Sequence, residues 1–282
     1  MIWTGLAGWG DHDSLYHDLK STADKLSQYA GHFPIVELDA SFYAVQPERN
    51  MNKWVNDTPE SFQFVVKAYQ GMTGHQRGEI PFDSKEEMFE AFKKSLEPMR
   101  DAGKLAMVLL QFPPWFDCRK ENVDYLRYSK RLLEDIPSAL EFRHQSWFSP
   151  QYRERTIQYM KEDNWIHSIC DEPQAGEKSI PFVPVPVGDK TLVRLHGRNV
   201  HGWTKPSKGQ EWRDVRYLYD YSESELTSLV NKIQSVAQDT REVFVIFNNN
   251  SGGHAAGNAS RFMEIAGLKY KGLAPRQMDL FD

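Results

Sequence analysis

The stretch Leu105-Ala106-Met107-Val108-Leu109-Leu110-Gln111 decides the fold, because it is a short apolar run that ends in a polar residue. The segment before it, 84–100, repeats apolar residues at helical spacing and predicts an amphipathic helix. Ser84 and Glu87 have the spacing of a capping box at the start of that helix. A buried strand beside a one-sided helix is typical of a parallel sheet covered by helices.

The same alternation extends through the whole chain. Short segments rich in apolar, β-branched and aromatic residues have strand character, and helical stripes lie between them. The strand-like segments are 2–8, 35–39, 62–67, 105–111, 138–142, 165–170, 191–196 and 243–248. Eight β-then-α units predict an α/β protein in which the strands close into a single (β/α)8 TIM barrel.

Two connections depart from this pattern. Segment 171–190 contains four prolines and predicts an extended loop in place of helix 6. Segment 197–221, after strand 7, is long, aromatic and basic, which is typical of a functional loop. An open doubly wound sheet is the alternative architecture, but neither a GxGxxG nor a P-loop pattern follows any strand-like segment. We predict a barrel domain over residues 1–270 and a tail over 271–282.

Composition limits the classes of function. A length of 282 residues suits one barrel, and a net charge of −5 argues against general attraction to nucleic acid or an anionic membrane, although a local basic surface is compatible with it. No apolar stretch approaches the ~18 residues of a membrane span, and the first residues resemble a strand rather than a signal peptide. Cys118 and Cys170 lie far apart and suit a reducing compartment. We expect a cytoplasmic protein without a membrane partner.

Charged, amide or histidine residues lie at or directly beside the ends of seven of the eight predicted strands. In barrels of this type the active site lies on the carboxyl face, so these residues predict a site. The catalytic candidates are Glu37, Glu141, Asp171 and His196. The substrate-binding candidates are Lys67, His75, Gln111, Arg143, Trp147, Arg194, Asn248 and Asn249. Arginine and lysine beside histidine favour a phosphate or carboxylate substrate. The alternative is that these groups only pair with one another in a buried salt-bridge network.

The connection after strand 8 favours phosphate. Segment 249–254 reads Asn-Asn-Ser-Gly-Gly-His and leads into a predicted helix. A glycine-containing turn before a helix presents backbone N–H groups, and barrels often bind phosphate after strands seven and eight. A plain turn with a helix cap is the alternative interpretation.

Five ordered motifs carry a resemblance to a known family. They are VELDASFY at 36–43, QFPP at 111–114, EFR with SW within 141–147, RLHG at 194–197 and FNN at 247–249. Together they resemble the domain-of-unknown-function-72 family, also called YecE-like proteins, along almost the whole chain. The resemblance implies a TIM barrel and supplies no activity. Asp39 and Ser41 stand where the family more often has Asn and Thr, and Asp39 adds a negative charge.

The same residues bear on other chemistries. Glu37, Glu141, Asp171 and His196 form an oxygen-rich set that suits Mg²⁺ or Mn²⁺, unless the neighbouring cations neutralise the acids instead. The sequence contains no HExxH zinc motif and no recognisable nucleophile motif. Barrel glycosidases commonly carry acids on strands four and seven, which end here in an amide and a histidine.

The last residues predict a protein partner. Gln277, Met278, Asp279, Leu280 and Phe281 resemble the bacterial sliding-clamp-binding motif, whose usual form is Gln-Leu-Ser/Asp-Leu-Phe. Leu280 and Phe281 would anchor in an apolar pocket, and Gln277 would fix the register by hydrogen bonds. The alternative is that the two apolar residues fold back onto the barrel. A clamp partner would associate the barrel with DNA, which the basic, aromatic loop 197–221 could contact.

We therefore predict an enzyme of hydrolase or phosphodiester type that acts on a phosphate-bearing small molecule or nucleic acid. In this hypothesis Arg194, Arg143 and Lys67 hold the anion, the predicted acids act as general base or metal ligands, and His196 acts as general acid. Two alternatives stay open: a non-catalytic module that senses a small anion, and a metabolic enzyme for sugar phosphates.

Overall fold

Eight parallel strands form a closed barrel in which β8 pairs with β1. The computed structural model describes residues 1–16, 22–76, 78–204 and 215–276. The strands are β1 (Ile2–Ala7), β2 (Ile35–Leu38), β3 (Gln63–Lys67), β4 (Leu105–Gln111), β5 (Ser138–Glu141), β6 (Ile166–Asp171), β7 (Lys190–Leu195) and β8 (Glu242–Phe247). The predicted α/β TIM barrel is confirmed, and each predicted strand matches an observed one to within one or two residues at its ends.

Helices surround the barrel. They are α1 (Lys25–Tyr29), α2 (Ala40–Tyr43), α3 (Glu48–Asn56), α4 (Lys85–Ser95), α5 (Glu97–Asp101), α6 (Lys120–Leu133), α7 (Arg153–Glu162), α8 (Val200–Thr204), α9 (Glu223–Val236) and α10 (His254–Ala266). Their apolar stripes pack on the outward-facing strand residues, as α9 does with Leu226, Leu229, Val230, Ile233 and Val236. None of the helices in the described ranges is long and apolar enough to cross a bilayer.

The helix predicted over 84–100 is two helices. Ser84 caps α4 by accepting a hydrogen bond from the backbone N–H of Glu87 at 3.0 Å. The carboxylate of Glu87 accepts in turn from the backbone N–H of Asp83 at 2.7 Å. Pro98 lies in the first turn of α5, where the missing N–H is tolerated, and the chain therefore restarts a helix after Leu96.

The connection between β6 and β7 is the predicted proline-rich loop. Its one regular element in the described chain is the 3-10 turn Gly176–Lys178. Ile180 and Val183 are 1% exposed, so the loop covers the barrel with side chains instead of a helix. The connection after β7 begins with α8, and residues 205–214 of it lie outside the described residues.

Residues 270–276 lie across the amino face of the barrel. Tyr270 donates a hydrogen bond to the carbonyl of Ile2 at 3.1 Å, and the backbone N–H of Ala274 donates to Ala30 at 3.0 Å. Both acceptors lie at the amino ends of strands or just before them, so the chain packs on the barrel beyond the predicted domain boundary at residue 270. The predicted clamp-binding peptide, 277–281, lies outside the described residues and stays a prediction.

Candidate functional site at the carboxyl ends of the strands

Polar side chains occupy the carboxyl end of the barrel interior. The lower interior is an apolar cluster that includes Ile35, Val65, Leu109, Ala139, Leu192 and Ile246. Because successive strand side chains alternate faces, the residue two positions further along each strand also points inward. We call the resulting group the polar layer; it consists of Glu37, Lys67, Gln111, Glu141, Arg143, Glu172, Arg194, His196 and Asn248.

Arg194 is the central cation of the polar layer. Its Nε donates to Glu37 Oε2 at 2.8 Å, and its Nη2 donates to the other oxygen of the same carboxylate. Its Nη1 donates to both oxygens of Glu141, at 2.9 and 2.7 Å, and approaches Gln111 Oε1 at 3.3 Å. The side chain is 1% exposed, so the guanidinium is held between two buried carboxylates.

Arg143 connects Glu141 to a third carboxylate, that of Glu172. Its Nη2 contacts Glu141 Oε1 at 2.5 Å, and its Nη1 donates to Glu172 Oε2 at 2.7 Å. The other oxygen of Glu172 accepts from the backbone N–H of Ile180, at 2.7 Å, which anchors the proline-rich loop. Ser168 adds a hydroxyl donor to Glu141 at 3.2 Å. The salt-bridge network that the sequence offered as an alternative is therefore present.

His196 is neutral and has one defined tautomer. Arg143 Nη2 donates to its Nε2 at 3.0 Å, so Nε2 carries the lone pair and Nδ1 carries the hydrogen. Nδ1 contacts the side-chain amide of Asn248 at 2.9 Å, and the amide oxygen is the atom able to accept that hydrogen. Burial, with Arg143 and Arg194 nearby, holds the pKa of His196 well below its usual range.

The three buried carboxylates differ in their proton affinity. Burial by itself raises the pKa of Glu141, but the two arginines and His196 outweigh burial and hold the pKa well below its usual range. Burial raises the pKa of Glu37 against the pull of its guanidinium partner. Burial also raises the pKa of Glu172, to about 7. Three carboxylates facing two guanidiniums and a neutral imidazole carry one excess negative charge, which is consistent with a raised pKa at one acid.

The exposed part of the polar layer is at Lys67. Its ammonium lies 3.3 Å from Asp39 and 4.7 Å from the ring centroid of Phe42. The Lys67 side chain is 15% exposed and that of Asp39 is 38% exposed, so this ion pair reaches solvent at the mouth of the barrel. Ser41 fixes the connection by donating to the backbone carbonyl of Lys67 at 2.6 Å.

His75 lies beside this pair on the β3 connection. Its Nδ1 is 2.9 Å from the hydroxyl of Thr73, and its ring packs against Phe42 at 5.2 Å and Trp115 at 6.1 Å. Burial, followed by the charges of Lys67 and Arg143, lowers the pKa of His75 to about 4. The imidazole is therefore neutral at physiological pH, because burial disfavours its charged form and the two nearby cations add to that effect.

A family model described as "Protein of unknown function DUF72" matches residues 3–279. The chain belongs to the DUF72 family. It is 61% identical to the UPF0759 protein YunF of Bacillus subtilis (strain 168) over 282 residues, which cover 100% of both chains.

Two crystal structures of DUF72 family proteins resemble this DUF72 chain throughout. One, from Enterococcus faecalis, has a TM-score of 0.91 at 39% identity and covers 99% of this chain and 100% of its own. Another, from Thermotoga maritima, has a TM-score of 0.80 at 29% identity and covers 95% of this chain and 100% of its own. The resemblance inferred from the five motifs is confirmed, and the relatives share the barrel.

Asp171 lies outside the polar layer of the DUF72 chain. It follows Ile169 at the two-residue spacing of the outward-facing side chains, and it pairs with Arg198 at 2.8 Å and Tyr221 at 2.7 Å. Tyr221 also accepts from the backbone N–H of Gly197 at 2.9 Å. These bonds attach the start of the β7 connection to the barrel, which differs from the catalytic role predicted for Asp171.

Two predicted substrate-binding residues are packing residues by their position. Asn249 is fully buried; its side-chain amide donates to the carbonyl of Tyr219 at 2.8 Å and to Asn258 at 2.7 Å. Trp147 is 1% exposed, stacks on Phe142 at 4.1 Å, and donates its indole N–H to a backbone carbonyl at 2.7 Å. Both lie between the barrel and its outer layer rather than at the mouth.

The turn before α10 has the predicted glycine geometry. Gly252 and Gly253 have φ values of 80° and 78°, in the left-handed region that favours glycine. Gly253 is the N-cap of α10 and provides no side-chain hydrogen bond to the first turn. Phosphate binding at this turn stays a prediction.

One group of potential metal ligands in the described ranges is Glu141, Cys170 and His196, whose ligand atoms lie within 4.8 Å of one another. Two of these three ligands already receive guanidinium hydrogens, since Arg143 donates to Glu141 and to His196. A second cation at this position would face the two arginines, so the donor set does not favour the Mg²⁺ or Mn²⁺ considered from the sequence.

Sequence reasoning missed two groups of the site. Glu172 follows the end of β6 and was not considered, although it continues the inward-facing positions 166, 168 and 170. Lys67 was predicted to hold the anion, but Asp39 was noted only as an added negative charge, and the pairing of the two was not predicted. Period-two spacing from Ile166 is the signal that could have identified Glu172.

Proposed function

We propose that this DUF72 chain is a hydrolase for a phosphate-bearing substrate, and that Lys67 binds the phosphate at the barrel mouth. The supporting observation is the contrast between the cations of the polar layer. Arg143 and Arg194 are 2% and 1% exposed and are held by fully buried carboxylates, whereas Lys67 is 15% exposed and its partner Asp39 is 38% exposed. Lys67 is thus the cation placed to meet an anion from solvent.

The potential at the mouth supports an anionic substrate. The charges of Lys67 and Arg143 contribute to the low pKa of His75, about 4, after burial. The part of this shift that comes from the two cations, rather than from burial, is the part that favours a negative group in the same place. The net charge of −5 for the whole chain does not oppose this, because fields near a cleft are set by its own residues.

The proposed reaction uses the exposed carboxylate. Asp39 lies 3.3 Å from the Lys67 ammonium, so a phosphate bound to Lys67 would lie beside Asp39. Asp39 takes a proton from water, the water oxygen forms a bond to phosphorus, and the bond from phosphorus to the leaving oxygen breaks. The leaving oxygen takes a proton from solvent.

The buried residues predicted as catalytic take a different role in this proposal. Glu37 and Glu141 accept guanidinium hydrogens, and the Nε2 lone pair of His196 is already occupied. We propose that Glu37, Glu141 and His196 instead position the strand ends that carry Lys67 and Asp39.

A non-catalytic anion-binding module is the second candidate. The observation that favours it is the complete pairing of Glu141 with Arg143 and Arg194, which leaves its carboxylate without a role toward substrate. Such a module would use the same mouth and the same lysine.

A matched pair of lysine variants tests phosphate binding. Titration calorimetry with inorganic phosphate and ribose 5-phosphate compares wild type, Lys67→Met and Lys190→Met. Lys190 is the control because it lies at the amino end of β7, 3.8 Å from Glu242 and 5.6 Å from the ring of Phe244. We expect Lys67→Met to weaken binding about tenfold, as for a lost charge-assisted hydrogen bond, and Lys190→Met to bind as wild type. Equal binding by wild type and Lys67→Met would contradict the proposal.

Turnover separates the two candidates. Phosphate release is measured from a panel of phosphomonoesters and phosphodiesters for wild type and Asp39→Asn. Turnover by wild type that is lost in Asp39→Asn while binding remains supports the hydrolase. Lysine-dependent binding without turnover of any ester favours the binding module.

The partner proposal concerns the tail. We propose that residues 277–281 bind a bacterial sliding clamp, since the peptide follows a segment packed on the amino face, opposite the mouth. A clamp bound there leaves the mouth accessible. Surface plasmon resonance of the full chain and of a chain ending at residue 276 tests this: equal clamp binding by both, or none by the full chain, would contradict it.

A further inference from the structure

Four aromatic rings form an arc on one side of the barrel mouth. Phe42 contacts Tyr43 at 5.3 Å and His75 at 5.2 Å between ring centroids, and His75 contacts Trp115 at 6.1 Å. We call Tyr43, Phe42, His75 and Trp115 the aromatic arc. These residues come from the connections after β2, β3 and β4, so three neighbouring strands deliver them to one rim.

We infer that the aromatic arc binds a nucleobase, so that the phosphate-bearing substrate is a nucleotide or the end of a single-stranded nucleic acid. The inference rests on the proposed function, since it places the phosphate at Lys67 and the base beside it. Lys67 joins the two parts of the site, because its ammonium lies 4.7 Å from the ring centroid of Phe42, inside the arc.

The exposure of the arc supports a ligand. Tyr43 and Trp115 are 71% and 56% exposed, although aromatic side chains of this size are usually covered. In the described residues, the large exposed hydrophobic side chains other than Met1 all lie on connections that follow strands. They are Tyr43, Ile80, Trp115, Val200 and Leu218. An exposed apolar surface gathered on one face of a barrel indicates binding rather than packing.

The chemistry of the arc favours a nucleobase over an aliphatic ligand. Ring faces bind flat heteroaromatic groups by stacking, and Trp and Tyr do so without demanding one base sequence. The neutral imidazole of His75 provides a polar group for the base edge beside the rings of Phe42 and Trp115. A lipid chain would meet the charged pair of Asp39 and Lys67 within the same surface, which disfavours it.

Four ligands measure the contributions of the base and of the phosphate to binding separately. Titration calorimetry uses inorganic phosphate, ribose 5-phosphate, adenosine and adenosine 5′-monophosphate with wild type, Trp115→Ala and Lys67→Met. Leu218→Ala is the control, because Leu218 is 40% exposed on the same face but lies on the β7 connection, outside the arc. Circular dichroism and melting temperature check that each variant is folded.

We expect wild type to bind the nucleotide about tenfold more tightly than ribose 5-phosphate, as one stacked base contributes. Trp115→Ala should lose this preference and keep the ribose 5-phosphate affinity, and Leu218→Ala should keep both. Equal affinity of wild type for the two phosphates, or an unchanged preference in Trp115→Ala, would overturn the nucleobase inference.

The two proposals fail in different ways. One outcome is that ribose 5-phosphate binds through Lys67 and adenosine 5′-monophosphate binds no more tightly. This outcome would overturn the nucleobase inference and keep the proposed function. Adenosine binding that depends on Trp115, with no effect of Lys67→Met on the nucleotide, would overturn the proposed function and keep the aromatic site. Absence of binding for all four probes would overturn both.

Discussion

Arg194 on β7 donates two hydrogen bonds from Nη1 to Glu141 on β5, at 2.9 and 2.7 Å. Strand β6 lies between them, so the contact crosses the inside of the barrel. The same guanidinium also bonds Glu37 on β2. One side chain therefore connects three strands that are not neighbours, and it fixes the end of β2, after which Asp39 follows.

Removing the arginine should destabilise the protein strongly. Arg194→Met leaves Glu37 and Glu141 buried without this partner, and we expect a loss of about 3–5 kcal/mol in the free energy of unfolding. Urea denaturation measures it. Arg100→Met is the control, because the Arg100 pair with Asp135 at 3.0 Å is exposed and should contribute less than about 1 kcal/mol. Equal losses in the two variants would contradict a structural role for the network.

Stability should depend on pH through Glu172. Its pKa in the folded chain is about 7, above the ordinary value of 4.5, so the folded chain retains a proton that the unfolded chain has lost. The stability contributed by this group is present below about pH 4.5 and is lost as pH rises through about 7. Glu172→Gln has no titratable group at this position, so its free energy of unfolding lacks this pH-dependent contribution.

The free energy of unfolding of Glu172→Gln should therefore rise relative to wild type between about pH 5 and pH 8, by about 1–3 kcal/mol. Denaturation at both pH values checks this. Glu162→Gln is the control, since Glu162 lies on the exposed side of α7; its free energy of unfolding should change with pH as that of wild type does. A Glu172→Gln offset that does not change with pH would show that this glutamate is already ionised at the lower value.

Asp171 should hold the connection after β7. Asp171→Asn removes the charge that pairs with Arg198, and we expect a loss of about 1–3 kcal/mol with faster amide hydrogen exchange at residues 197–204. Gly197 is the most direct reporter, because its N–H donates to Tyr221, which donates to Asp171. Exchange mass spectrometry measures the effect. Unchanged exchange there, with lost ligand binding at the mouth, would instead support the catalytic role predicted from the sequence.

Trp147 should affect stability without affecting ligand binding. Trp147→Phe keeps stacking on Phe142 but loses the indole hydrogen bond to the carbonyl of Phe116, so we expect a loss of about 1–3 kcal/mol. Affinity for ribose 5-phosphate should equal that of wild type. Weaker phosphate binding by a folded Trp147→Phe variant would place this residue in the site after all.

The barrel could be predicted from the sequence because each strand repeats the same signal. Segments such as Leu105–Gln111 are too apolar to face solvent, and the helical stripe of 84–100 covers only one side. The division of the helix predicted over 84–100 was not foreseen, because Pro98 lies in a first turn and separates two helices without changing the apolar spacing.

The site was only partly predictable, because strand ends alone do not say which way a side chain points. Glu37, Glu141 and Arg194 lie at inward positions, whereas Asp171 and Asn249 lie one residue out of step and face outward. The pairing of Arg194 with two carboxylates depends on distances across the barrel, which no local pattern contains. The sequence could therefore locate the site on the carboxyl face of the barrel. It could not distinguish a buried cation paired with carboxylates, such as Arg194, from a partly exposed one, such as Lys67.

The decisive experiment is a crystal structure with adenosine 5′-monophosphate, at a concentration that saturates binding in solution. We expect phosphate oxygens within hydrogen-bond distance of Lys67 Nζ, while Arg194 stays bonded to Glu37 and Glu141. A phosphate seated on the Arg194 guanidinium in place of Glu141, or a ligand bound away from the mouth, would contradict this expectation.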